Sequence, residues 1–85
     1  MAIQIEVFGP GCRKCHESAD TARRFADARG IAAEVVKRST IAEMTARGVL
    51  YTPTVFVDGE KVVEGRPLRE SDLEKWLAAH PGAGR

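Results

Sequence analysis

The hydrophobic period of this chain changes once within the first thirty residues, and both cysteines sit at the change. Ile3, Ile5 and Val7 alternate with Gln4, Glu6 and Phe8, a period of two that predicts a strand over residues 2–8. From Cys12 to Arg29 the period lengthens. Cys15, Ala19, Ala22, Phe25 and Ala26 recur at steps of three and four, the buried stripe of a helix. Gly9-Pro10-Gly11 supplies a tight turn between the two. A strand that passes so abruptly into a helix, with another strand to follow, requires a right-handed crossover onto one sheet.

Gly30 marks the end of the helix, and Ile31–Val36 reads as a second strand. Thr40 and Glu43 have the spacing of a capping box. They open a short helix expected to turn Ile41 and Met44 inward and to stop at Gly48. Val49–Tyr51 lead into Thr52-Pro53. Thr54–Val57 and Lys61–Glu64 are a third and a fourth strand, made antiparallel by the two-residue turn Asp58-Gly59. Leu73, Trp76 and Leu77 mark a last helix beginning between Arg69 and Ser71, with Ser71 and Glu74 spaced to cap it. Phe25, Met44, Phe56, Trp76 and Leu77 are the expected large core residues. The order is βαβαββα, and the simplest closure is a four-stranded mixed sheet with helices on both faces, an α/β fold.

Eighty-five residues make one domain. It is expected to cover residues 1–80, with 81–85 as a flexible tail and fraying from His80 onward. Thirteen basic and twelve acidic residues leave a net charge of +1, so no global field points to nucleic acid. The apolar runs are a few residues long, too short for a membrane span. No basic stretch followed by a long apolar one suggests a signal peptide, and the expected compartment is the cytoplasm. There a lone cysteine pair is catalytic or metal-binding rather than a structural staple.

The spacing Cys12-Arg13-Lys14-Cys15 suits thiol–disulfide exchange. A thiolate is the attacking species. At the start of a helix Cys12 meets unsatisfied N–H groups and the positive end of the helix dipole, and Arg13 and Lys14 add charge. Cys15, one turn inward, is expected to be more buried. His16 belongs to the first helical turn, either tuning Cys12 or standing exposed without a role. No cofactor is required beyond a reversible Cys12–Cys15 disulfide, and no resident metal. Two other chemistries use the same residues. Cys12 to His16 matches a c-type haem attachment pattern, which calls for export and a mainly helical protein, against the clear hairpin here. Two thiolates can also carry Cu(I) or another soft metal. Small copper chaperones, however, have the order βαββαβ and no Thr-Pro element. Structural zinc would need two further ligands, and His16 and His80 are the only histidines.

Gly9-Pro10-Gly11-Cys12-Arg13-Lys14-Cys15, then Gly48-Val49-Leu50-Tyr51-Thr52-Pro53, then Val55-Phe56-Val57-Asp58-Gly59 together resemble the thioredoxin fold. More narrowly, they resemble its small, glutaredoxin-sized redox-active disulfide proteins. The resemblance runs from about residue 2 to residue 78. It implies a thioredoxin-like or glutaredoxin-like oxidoreductase, with Cys12 as nucleophile and Cys15 as resolving thiol. It also implies a cis bond between Thr52 and Pro53 that shapes a substrate groove. Tyr51 can add an aromatic wall to that groove, or simply pack. Glu6 stands where thioredoxins often keep a buried acid and can relay a proton to Cys15 through water; on an alternating strand it reads equally as a half-exposed polar position. The implied partners are protein disulfides and a thioredoxin reductase. Glutathione fits less well, because Glu64-Gly65-Arg66 does not reproduce the glutathione-holding patch of glutaredoxins. Arg66 can clamp an anionic ligand or lie solvated. The expected state is a monomer.

Overall fold

The computed structural model of the chain describes residues 2–9 and 13–81, and Lys14 by its backbone alone. Expectations placed on Pro10, Gly11 and Cys12, on the Lys14 side chain, and on the tail from residue 82 lie outside the described residues. The elements follow the expected order: β1 (Ile3–Phe8), α1 (Arg13–Arg29), β2 (Ala33–Arg38), α2 (Ile41–Ala46), β3 (Thr54–Val57), β4 (Glu60–Glu64) and α3 (Glu70–Ala79). The strands form one sheet in the order β2-β1-β3-β4. β2 runs parallel to β1, and β3 is antiparallel to both β1 and β4.

The period-two face of β1 becomes the main core. Ile3, Ile5 and Val7 meet Val55, Val57 and Val63 from the neighbouring strands, under Cys15, Ala19, Ala22 and Phe25 of α1 and Leu73 and Trp76 of α3. Ala19 and Ala22 are fully buried, and their small side chains let α1 lie close to the sheet. Ser18 is also fully buried, outside the apolar stripe. Its Oγ accepts the Leu68 N–H at 3.0 Å and ties the entry to α3 onto α1.

β2 lies two residues later than the hydrophobic run suggests. Ile31 stays outside it, donating its N–H to the Ala26 carbonyl at 2.9 Å to close α1. Lys37 and Arg38 join it because the parallel ladder continues to the Phe8–Arg38 pair, and the Arg38 carbonyl accepts the Gly9 N–H at 3.0 Å. The Asp58-Gly59 turn has φ of 49° and 84°, the left-handed pair that a two-residue hairpin requires. The Asp58 carboxylate and N–H both bond to the Gln4 backbone at 2.8 Å, which pins the hairpin to β1.

α2 sits over the opposite face of the sheet. Thr40 caps it as expected, its Oγ1 accepting the Glu43 N–H at 3.2 Å. The expected inward position of Ile41 is corrected: it is 80% exposed, Met44 is half-buried, and α2 buries no residue fully. The sheet-facing side of this six-residue helix is taken by ion pairs, Glu43 with Arg38 and Arg47 with Glu6. α3 starts at Glu70, within the expected range, and only its cap is corrected. Asp72, not the Ser71–Glu74 pair, reaches back to the Arg69 N–H at 2.9 Å. Asp72 can do so because it stands three residues after the N-cap.

His80 does not fray. Its ring stacks on Trp76 at 4.2 Å, Nδ1 lies 2.8 Å from the Trp76 carbonyl and Nε2 lies 2.9 Å from the Glu60 carboxylate.

Candidate active site

β1 delivers Gly9 to the first turn of α1, where Cys15 is buried. A Cβ on Gly9 would overlap the Cys15 sulfur, and the Thr52 Cβ lies 3.7 Å from the same point. The glycine is therefore needed for close approach, not only for a turn. Residues 9 and 15, six positions apart, meet residue 52 from a distant segment in this one place.

The Thr52–Pro53 peptide bond is cis. Pro53 is buried and Thr52 exposed. The bend is held from both sides. Thr54 Oγ1 donates to the Tyr51 carbonyl at 2.5 Å, and the Gly65 N–H donates to the Pro53 carbonyl at 2.9 Å. Tyr51 is 62% exposed and Leu50 81%, so the segment before the bend presents two apolar side chains to solvent.

The charged candidates separate into different environments. Arg13 is exposed and lies 3.2 Å from the Glu17 carboxylate, so part of its charge is neutralised. The first turn of α1 carries no acidic residue, which leaves its N-terminal dipole unopposed there. His16 is exposed, with Nδ1 2.7 Å from Lys37 Nζ. Arg66 is engaged by Asp72 through two bonds of 2.9 and 2.8 Å, and its side chain is part-exposed. That pairing is the main reason the Asp72 carboxyl is held below its ordinary value.

Glu6 is not the half-exposed polar position that strand alternation allows. It is 3% exposed, with Arg47 Nη2 at 2.5 Å and Arg38 Nε at 3.2 Å. The two arginines were not legible as site residues, since they lie 32 and 41 residues from Glu6. Among the described residues no group of three or more His, Cys, Asp or Glu side chains could hold a metal ion, and no helix is long and apolar enough to cross a membrane.

A mixed βαβαββα sheet, with a cysteine on the first turn of its first helix packed beside a cis X-Pro bend, defines an α/β protein of the thioredoxin-like fold. The thioredoxin domain family matches residues 2–78, and the chain belongs to it. A thioredoxin of Methanocaldococcus jannaschii is 36% identical over 78 residues, covering 92% of this chain and 90% of the relative. A thioredoxin of Methanothermobacter thermautotrophicus is 29% identical over 76 residues, covering 89% and 99%. Among solved structures, thioredoxin 1 of Thermosipho africanus superposes with a TM-score of 0.57 at 19% identity, over 89% of this chain and 96% of that one. A Staphylococcus aureus protein of unknown function superposes with a TM-score of 0.69 at 12% identity, over 93% and 91%. Both show the shared fold.

Proposed function

We propose that this thioredoxin-family chain is a cytoplasmic, monomeric thiol–disulfide oxidoreductase that exchanges its Cys12/Cys15 dithiol with protein disulfides. The observation that carries the reading is the meeting of buried Cys15, Gly9 and Thr52 beside the cis Thr52–Pro53 bond.

In sequence Cys12 directly precedes Arg13, the first residue of α1, where helix N–H groups and the dipole favour a thiolate. The Cys12 thiolate attacks one sulfur of the substrate disulfide. A Cys12–substrate bond forms, the substrate bond breaks, and the departing sulfur leaves as a thiolate. Cys15, deprotonated, then attacks the Cys12 sulfur, and the second substrate sulfur leaves as a thiolate. Two electrons have passed to the substrate, and the chain holds a Cys12–Cys15 disulfide. In sequence Arg13 and Lys14 stand between the two cysteines and add positive charge, and His16 follows Cys15 on the same turn. The backbone at Thr52 offers an edge on which an extended substrate segment can pair as an added strand, with Tyr51 alongside. The electron source that fits is a flavin-containing thioredoxin reductase rather than glutathione.

Turnover of an added protein disulfide, coupled either to thioredoxin reductase with NADPH or to glutathione with glutathione reductase, tests this. The first pair should support turnover, Cys12→Ser should abolish it, and Cys15→Ser should trap a mixed disulfide. Failure with both electron sources, together with tight Cu(I) binding by the reduced chain, would transfer the cysteines to metal carriage.

A further inference from the structure

We propose that Glu6 is a positioning residue. Its buried carboxylate, gripped by Arg47 and Arg38, fixes the 47–53 segment against β1 and so sets the substrate groove. The catalytic consequence rests on the oxidoreductase reading above; the grip itself does not.

Each carboxylate oxygen of Glu6 is taken by a different cation. Arg47 Nη2 lies 2.5 Å from Oε1 and Arg38 Nε lies 3.2 Å from Oε2. Arg38 is held in turn by Glu43 at 3.6 Å. The Arg47 guanidinium also lies over two rings, Phe8 of β1 at 5.6 Å and Phe56 of β3 at 5.2 Å. Those rings touch each other edge-on at 5.3 Å. Arg47 is thus located along the strand by Glu6 and across the sheet by the aromatic pair.

Arg47 is the C-cap of α2 and the first residue of the segment that ends in the cis bond. Apart from half-buried Val49 and buried Pro53, apolar packing holds that segment weakly. α2 buries no residue, and Ile41, Leu50 and Tyr51 point outward. The far end is fastened by the bonds to the Tyr51 and Pro53 carbonyls. At the near end backbone bonds tie residues 47–49 to α2 itself, and the fastening to β1 is the Glu6–Arg47 pair, whose acidic partner is desolvated and therefore costly to leave alone. Because Glu6 belongs to the strand that delivers Gly9 to Cys15, one carboxylate references both halves of the site to a single element. With both oxygens facing fixed cations, Glu6 is arranged to hold position rather than to accept and release a proton for Cys15.

Amide hydrogen exchange and steady-state kinetics of the full chain test this in Glu6→Gln and, independently, Arg47→Gln. The second changes a half-exposed side chain and serves if the first does not fold. In both, exchange at Val49 and Gly65, whose N–H groups donate to the Met44 and Pro53 carbonyls, should accelerate at least about tenfold while Ile5 and Val35 keep their protection. KM for the protein disulfide should rise several-fold with kcat within about twofold. The pH profile of Cys12 alkylation should not move, and the double variant should be no worse than either single one. The proposal is overturned if exchange at Val49 and Gly65 is unchanged in both variants. It is equally overturned if Glu6→Gln shifts the alkylation profile and kcat while leaving KM alone, since Glu6 would then be a proton relay. If the wild-type chain shows no turnover, the oxidoreductase reading fails and the exchange measurement still decides the grip.

Discussion

Gly9 and Cys15 show how one side-chain hydrogen can decide a site. The Cys15 sulfur occupies the space that a Cβ on Gly9 would need. Gly9→Ala must therefore push the first turn of α1 away from β1, at a cost of about 1–3 kcal/mol by urea unfolding; a loss below about 0.5 kcal/mol would mean the turn yields freely. His80 is a second residue-scale device. Both ring nitrogens face acceptors, the Trp76 carbonyl and the Glu60 carboxylate, and only the imidazolium can donate to both. The backbone bond to Trp76, then the bond to Glu60, hold its pKa above the ordinary 6.5. A raised folded value means the contribution is complete below the unfolded pKa and is lost as pH rises through the folded one. NMR titration should place the His80 midpoint above 6.5, and Glu60→Gln should lower it; a wild-type midpoint at or below 6.5 contradicts the bridge. The burial of Cys15 was legible from its place one turn into a helix, and the cis Thr52–Pro53 bond from the resemblance of its motif. The grip on Glu6 and the bridge on His80 were not, because their partners come from other elements, and alternation or terminal position alone suggests half-exposure and fraying.

At the scale of elements, periodicity and turn signals located the strands and helices, and the differences fall where a backbone ladder or a side-chain bond overrides them. β2 runs on through Lys37 and Arg38 because the parallel ladder, not hydrophobicity, sets its end. α2 was read as an amphipathic helix with Ile41 inward, whereas its contact with the sheet is ionic. α3 begins at Glu70 because Asp72 serves two donors at once, the Arg69 N–H and the Arg66 guanidinium. Asp72→Ala should therefore cost about 1 kcal/mol and expose the first-turn amides of α3 to faster exchange. The Asp72 carboxyl is depressed chiefly by its bonds to Arg66, so its contribution is full above the ordinary carboxylate value and falls away as pH drops through the depressed one. The stability difference between wild type and Asp72→Ala should accordingly shrink in strong acid; a difference constant with pH would assign the effect to packing instead.

Across the whole molecule, the apolar face of β1 and the stripe of α1 form one core with α3 on its far side. Leu73, fully buried there, should cost about 2–5 kcal/mol when cut to Ala, measured by urea unfolding of the reduced chain; a loss well under that range would mean that α3 stands apart from the core. The same topology leaves the other sheet face to Glu6, Arg38, Arg47 and two phenylalanines, and so separates the core from the surface that orients the cis-proline bend. The proposed chemistry turns on Cys12, which directly precedes α1 in sequence, being an ionised nucleophile near neutral pH. Its rate of alkylation by iodoacetamide, followed against pH in the Cys15→Ser variant, tests that claim most directly. The account predicts a midpoint clearly below the ordinary thiol value of about 8.5. A midpoint at or above that value would contradict it.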